Sequence, residues 1–201
     1  MDFASLGAAI IFAMLINNVI LMQFLGICPF LGVSKRTSSA IGMSGAVLFV
    51  MVIASMAAYL IYYYILVPYN IEYLQIIVFI LVIASLVQLV EMVLKKFSKP
   101  LYKSLGIYLP LITTNCAILG VAQGNIISDF PSTMSVGAGF VLASVTAVGT
   151  GLGFGLIMFA FSSIREKLES SNVPESWKGV PISLVVAGLM SIAFIGLVGI
   201  V

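Results

Sequence analysis

Cysteine occurs only twice in this 201-residue chain, and both copies sit in stretches that read alike, Cys28-Pro29-Phe30-Leu31-Gly32-Val33 and Cys116-Ala117-Ile118-Leu119-Gly120-Val121. Cys, Leu, Gly and Val recur at the same offsets 88 residues apart, the pattern of a duplicated unit whose copies each kept one soft, metal-capable side chain. Two thiolates are half of an iron–sulfur ligand set. Histidine is absent, which excludes His-ligated haem, His-ligated zinc and imidazole proton relays within this chain. A structural disulfide is disfavoured, because both cysteines lie in apolar surroundings without a framework of extracellular loops.

The elements that must position these cysteines are set by composition. Apolar residues make up 62% of the chain and charged residues 8%, far from the balance of a soluble domain. This is the composition of an integral membrane protein. At about 20 apolar residues per crossing, the runs near 4–25, 40–66, 73–94, 104–123, 133–161 and 180–200 predict an all-α polytopic protein with six transmembrane helices. Asp2 precedes the first run and no basic n-region is present, so the run beginning at Phe3 is expected to be a span and not a cleaved signal peptide. All nine Lys and Arg residues lie in or beside the first, third and fifth connections: Lys35 and Arg36; Lys95, Lys96, Lys99 and Lys103; Arg165, Lys167 and Lys178. Cytoplasmic loops carry the Lys/Arg excess, so both termini are expected on the extracytoplasmic side of the membrane.

Three spans per copy is an odd number, so the copies, about 1–98 and 99–201, would insert in opposite orientations. Such inverted repeats place their special site near the bilayer midplane, on discontinuous helices. Gly26, Pro29 and Gly32 interrupt the first apolar stretch, and Gly106, Pro110, Gly120 and Gly124 bracket Cys116. Pro29 removes a backbone donor and disfavours helical geometry at Cys28. Irregular backbone at membrane depth is tolerated only inside protein or along a cavity, so both thiols are expected to point inward, toward each other or a partner.

Polar residues flank each motif: Asn17, Asn18 and Gln23 before the first cysteine, Thr113, Thr114 and Asn115 before the second. They either donate hydrogen bonds to cluster sulfurs or hold the broken helix, or else make ordinary interhelical bonds. Glu91 stands four residues before Lys95, the spacing of a helical ion pair near the membrane surface; an ion-pathway carboxylate is the sharper alternative, and Asp129 is a further acid of open role. Gly139, Ala143, Ala147, Gly151 and Gly155 recur every four residues, with Gly149 and Gly153 beside them, forming a close-packing helix face. Gly149-Thr150-Gly151-Leu152-Gly153 lacks the strand-then-helix context of a phosphate loop. Tyr59, Tyr62, Tyr63 and Tyr64 suit an interfacial belt. Nothing in the chain points to nucleic acid.

The stretches Phe24 to Lys35 and Leu109 to Val121, with Gln88-Leu89-Val90-Glu91-Met92, Ile164-Arg165-Glu166-Lys167 and Ala187-Gly188-Leu189-Met190, closely resemble the A-subunit family of the Rnf electron-transport complexes. The resemblance covers nearly the whole chain, and the E subunit of the sodium-pumping NADH:quinone reductase shows a similar pattern. It implies a membrane-embedded [2Fe-2S] cluster ligated by Cys28 and Cys116 together with two cysteines of a homologous E-type subunit. It also implies electron relay between flavin and iron–sulfur centres of other subunits, coupled to movement of Na⁺ or H⁺ in an ion-translocating ferredoxin:NAD oxidoreductase. No complete active site is expected in this chain alone. The alternative is a redox-inactive secondary transporter with inverted repeats, in which each cysteine is a small buried hydrophobe on a broken helix. A passive assembly scaffold would leave the paired cysteines without a role.

Overall fold

The computed structural model describes residues 3–34, 36–97, 109–127, 136–169, 171, 174 and 177–198. Lys35, Lys99, Lys103, Gly106, Asp129 and Pro131, and the expected boundary at 98/99, lie outside the described residues. The described chain is helical: α1 (Phe3–Ile11), α2 (Ile27–Val33), α3 (Thr37–Ile61), α4 (Gln75–Phe97), α5 (Leu109–Thr113), α6 (Cys116–Ile127), α7 (Val136–Glu169) and α8 (Val180–Val198). Wider π turns extend α1 over Phe12–Ile16 and α3 over Tyr62–Leu66, and a last turn at Val67–Tyr69 ends where Asn70 turns left-handed. Among the described residues three helical stretches are long and apolar enough to cross a membrane, Thr37–Tyr69, Glu72–Met92 and Val136–Glu169; Gly7–Ile16 and Val180–Gly196 are shorter apolar helices.

α3 and α7 form the central pair. Along α3 the buried positions Ala40, Met43, Val47, Met51, Ala54 and Ala58 fall three or four apart, and on α7 Gly139, Ala143, Ala147, Gly151 and Phe154 do the same. This 3.6-residue periodicity gives each helix one inward stripe. The stripes meet antiparallel: Gly155 lies against Ser44, Gly151 against Leu48 and Gly139 against Tyr59. The small residues set how closely these helices approach, because the neighbour occupies the space a Cβ would need. The adjacent pair Gly149 and Gly153 does the same for the first helix, with a Cβ at 153 falling 2.7 Å from the Met14 carbonyl oxygen. Thus the single predicted packing face serves two neighbours. Inside it, Asn125 Nδ2 donates to Ser55 Oγ at 2.8 Å and to the Ala143 carbonyl at 3.3 Å, satisfying an amide buried between α3, α6 and α7.

The first and fourth apolar runs are each broken. The first helix stops at Ile16, and ten residues of turns follow before α2. The fourth is interrupted at Thr114 and Asn115, between α5 and α6. The location of the first break corrects an expectation. Pro29 does not interrupt the chain at Cys28; it is the third residue of α2, and Cys28 is helical. Backbone N–H groups in a first helical turn have no intrahelical acceptor, so a proline there forfeits no bond and its fixed φ suits the helix. The discontinuity falls upstream, where Phe24 (φ 54°) and Gly26 (φ 80°) adopt left-handed backbone.

α7 buttresses the short helix that follows. Phe161 stacks on Phe30 with ring centroids 3.9 Å apart. One turn further along α7, the Arg165 guanidinium, 6% exposed, donates to the Leu31 carbonyl at 2.7 Å and to Ser34 Oγ at 2.9 Å. A cation thereby satisfies acceptors at the carbonyl end of α2, where the helix dipole favours positive charge. From α8, Ser191 Oγ donates to the Leu21 carbonyl at 2.7 Å.

Three substitutions test this packing by thermal unfolding of the purified protein in detergent. Gly153→Ala is expected to cost about 1–3 kcal/mol, the range for overpacking a close contact. Gly45→Ala on α3, with nothing among the described residues within 4 Å of its Cβ, should leave stability unchanged or raise it slightly. Arg165→Met should cost about 1.5–3 kcal/mol by leaving the Leu31 carbonyl and Ser34 without their charged donor. An unfolding midpoint equal to wild type in Gly153→Ala or Arg165→Met would contradict the corresponding contact.

Candidate metal centre

Each cysteine sits in the first turn of a helix that starts directly after a break. Cys28 is the second residue of α2, and Cys116 the first residue of the twelve-residue α6. The breaks use the same local device. Asn18 Oδ1 accepts the N–H of Ile20 at 3.1 Å, and Asn115 Oδ1 accepts the N–H of Ala117 at 3.0 Å. A short amide side chain that bonds the backbone two residues ahead competes with helix continuation and fixes a turn. Asn18 also donates from Nδ2 to the Met14 carbonyl at 3.0 Å, bridging back to the helix it terminates. Buried asparagines at both breaks are therefore consumed by backbone geometry. Asn115 Nδ2 is the exception: it is buried and has no partner among the described residues.

The two motifs interlock. The Gly26 N–H donates to Cys116 Sγ, with nitrogen 2.9 Å from sulfur. Leu25 seats on Gly120 so closely that a Cβ there would overlap its Cδ1, and Gly32 lies beside Leu111. A Cβ at Gly26 would approach Ala117 Cβ and the Phe154 ring at 3.1 Å and Asn115 Oδ1 at 3.2 Å. The backbone of the first motif is thus pressed against the second, and α7 closes the contact from behind through Phe154.

Both cysteines are free thiols, and both are exposed. They were expected to turn inward, toward each other or a partner; this chain encloses neither. Among the described residues no group of three or more His, Cys, Asp or Glu side chains gathers. The donor set of the chain at this place is two soft sulfurs, with a backbone N–H already directed at one of them. That fits half of a thiolate-ligated iron–sulfur centre.

The other polar candidates divide. Gln23 Nε2 donates to Asn17 Oδ1 at 3.1 Å, so these amides satisfy one another. Thr114 Oγ1 bonds back to the Pro110 carbonyl at 3.1 Å, a local helical bond. Glu91 is half-buried near the end of α4, on the same helix as Lys95. Sequence reasoning missed two contributors. Gly26 was read only as an interruption of the first apolar stretch and Arg165 as a loop charge, whereas holding the broken helix was one of the roles open to the asparagines. For Arg165 a signal existed: Phe154, Phe161 and Arg165, spaced seven and four apart, share one helix face.

Between the first helix, α6 and α7 lies a cleft of about 830 Å³. Its polar lining comes from Asn17, Gln23, Asn125, Thr146 and Thr150, and the remainder is apolar.

Comparison with known proteins gives the family. Residues 7–201 match the family described as Rnf-Nqr subunit, membrane protein. The A subunit of the Na⁺-translocating ferredoxin:NAD⁺ oxidoreductase complex of Acetobacterium woodii is 53% identical over 187 residues, 93% of each chain. The A subunits of the ion-translocating oxidoreductase complexes of Azoarcus sp. (strain BH72) and Pasteurella multocida are 52% identical over 185 residues and 53% over 192, covering 92% and 96% of each chain. The chain belongs to the Rnf-Nqr family of membrane subunits, and these relatives within it are A subunits of ion-translocating oxidoreductase complexes.

Proposed function

We propose that this chain is an electron-relay subunit of an ion-translocating ferredoxin:NAD oxidoreductase complex, holding half of a [2Fe-2S] cluster through Cys28 and Cys116. A homologous E-type subunit supplies the other two thiolates, and further subunits carry the flavin, the remaining iron–sulfur centres and the sites for ferredoxin and NAD. The observation that carries this reading is the pair of exposed thiols on two interlocked motifs, one sulfur already accepting a backbone N–H at 2.9 Å. Exposure suits a centre shared across a subunit seam, and thiolate donors suit iron. The likeness to the Acetobacterium woodii protein supports the ferredoxin:NAD⁺ reaction and the coupling to cation movement.

When bound, the cluster supplies a one-electron carrier inside the membrane. The residues of this chain hold it: Cys28 and Cys116 as ligands, Gly26 by hydrogen bonding to sulfur, Asn115 by fixing the turn that presents Cys116. Phe161 and Arg165 hold α2, and with it Cys28.

The same proposal includes six spans in two inverted repeats, about 1–98 and 99–201. Two observations support it. α3 and α7 run antiparallel, as the second spans of oppositely inserted copies would. The Ser55 hydroxyl meets the Ala143 carbonyl at 3.5 Å, and these residues are 88 apart, the offset that relates the cysteines. Residues beside a two-fold axis touch their own counterparts. The Lys/Arg distribution then puts the first, third and fifth connections in the bacterial cytoplasm and both termini outside.

The 830 Å³ cleft favours a second reading, a redox-inactive secondary transporter with this cleft as its substrate site. Iron and acid-labile sulfide content separates the two, measured on this chain co-purified with its homologous partner. About two irons and two sulfides per heterodimer are expected, both lost in Cys28→Ser and in Cys116→Ser. An iron-free wild-type complex that still moved ions would favour the transporter.

A further inference from the structure

We infer that Gly26 is a positioning residue for the redox centre: its backbone N–H, held against Cys116 Sγ, raises the reduction potential of the centre that Cys28 and Cys116 ligate. The inference rests on the relay reading and deepens it.

Three observations converge on this residue. First, the donor–acceptor pair joins the two motifs: the N–H lies two residues before Cys28, and the sulfur belongs to the other copy's cysteine, 2.9 Å away. The first motif therefore contributes a ligand of its own and a hydrogen bond to the ligand of the second. Secondly, the N–H direction is fixed. Gly26 has φ 80°, caps the start of α2, and accepts the Phe30 N–H on its carbonyl at 3.3 Å. Thirdly, the position excludes side chains on two independent grounds, the left-handed backbone and the 3.1–3.2 Å approaches of Ala117, Phe154 and Asn115 to a Cβ. Such a site is costly to keep; presenting an N–H to sulfur gives it a function that loop closure alone does not require.

The physical effect has a definite sign. Adding one electron to a thiolate-ligated centre increases negative charge on the cysteine sulfurs, with no bond broken and no proton moved. A preorganised N–H dipole at hydrogen-bond distance stabilises that charge more in the reduced state than in the oxidised one. Hydrogen bonds to the sulfurs are among the factors that set iron–sulfur potentials, and their effect is largest where water is excluded. Gly26 packs beneath the exposed sulfur in the buried layer formed by Ala117 and Phe154.

The test is pulsed EPR of the dithionite-reduced complex, assembled with its partner subunit from cells supplied with ¹⁵N-glycine, together with a potentiometric titration. The expected result is a glycine-derived ¹⁵N hyperfine coupling to the cluster that disappears in Gly26→Ala, accompanied by a shift of the potential to a more negative value. Gly32→Ala, whose Cβ would meet only Leu111 among the described residues, at 3.8 Å, should keep both the coupling and the potential. A reduced cluster with no ¹⁵N-glycine coupling in the wild type would overturn the inference while leaving the relay reading intact. So would Gly26→Ala with an unchanged coupling and potential. Should Gly26→Ala fail to assemble, the wild-type spectrum decides alone. Absence of any cluster signal in the wild type would overturn the relay reading itself, and this inference with it.

Discussion

A broken helix in a chain this apolar leaves backbone N–H and C=O groups that lipid cannot satisfy, and each one unpaired costs several kcal/mol in hydrocarbon. The rest of the fold answers that constraint. Asparagine side chains take up the freed N–H groups of Ile20 and Ala117. Arg165 takes the carbonyl of Leu31, and Ser191 that of Leu21. The freed N–H of Gly26 is taken by a cysteine sulfur. Polar groups that look scattered along the sequence are gathered at two discontinuities.

Supporting those discontinuities requires close neighbours, which explains the glycines of α7. Only a helix without side chains at 149 and 153 can approach the end of the first helix closely enough to bury the backbone around Met14 and Asn18. The same helix must also pack on α3 through Gly151 and Gly155, so it carries small residues on two adjoining strips. Beyond Gly153 the face changes character, and Phe154, Phe161 and Arg165 supply the bulk and the charge that hold α2 in place. One long helix thus serves as spacer over one half of its length and as clamp over the other.

How much of this was legible in the sequence follows from the range of each interaction. The cysteine motifs and the small-residue stripe are local patterns with fixed periods; the stripe packs as its spacing suggests, and each motif starts a helix after a break. The break near Cys28 was legible as a break, but its place was misjudged. Pro29 alone is ambiguous between ending one helix and starting the next, and the residues that decide, Phe24 and Gly26, do so through backbone conformation. The contacts of Gly26 with Cys116 and of Arg165 with Leu31 span 90 and 134 residues. No local pattern specifies such pairs, because they exist only once α7 has brought the two halves together. The amides of Asn17 and Gln23 were open to a role at the centre, and they satisfy each other instead.

In the proposed relay, two interlocked motifs with two exposed thiols offer two soft donors to a centre that a second subunit completes, and this chain buries the backbone beneath them. The most direct measurement is a native mass spectrum of the heterodimer of this chain with its homologous partner, followed by gas-phase separation of the subunits. The account predicts that the dimer carries the added mass of two irons and two sulfides, and that neither chain retains all of it once the pair separates. A dimer of bare polypeptide mass, or a complete cluster carried by this chain alone, would contradict it.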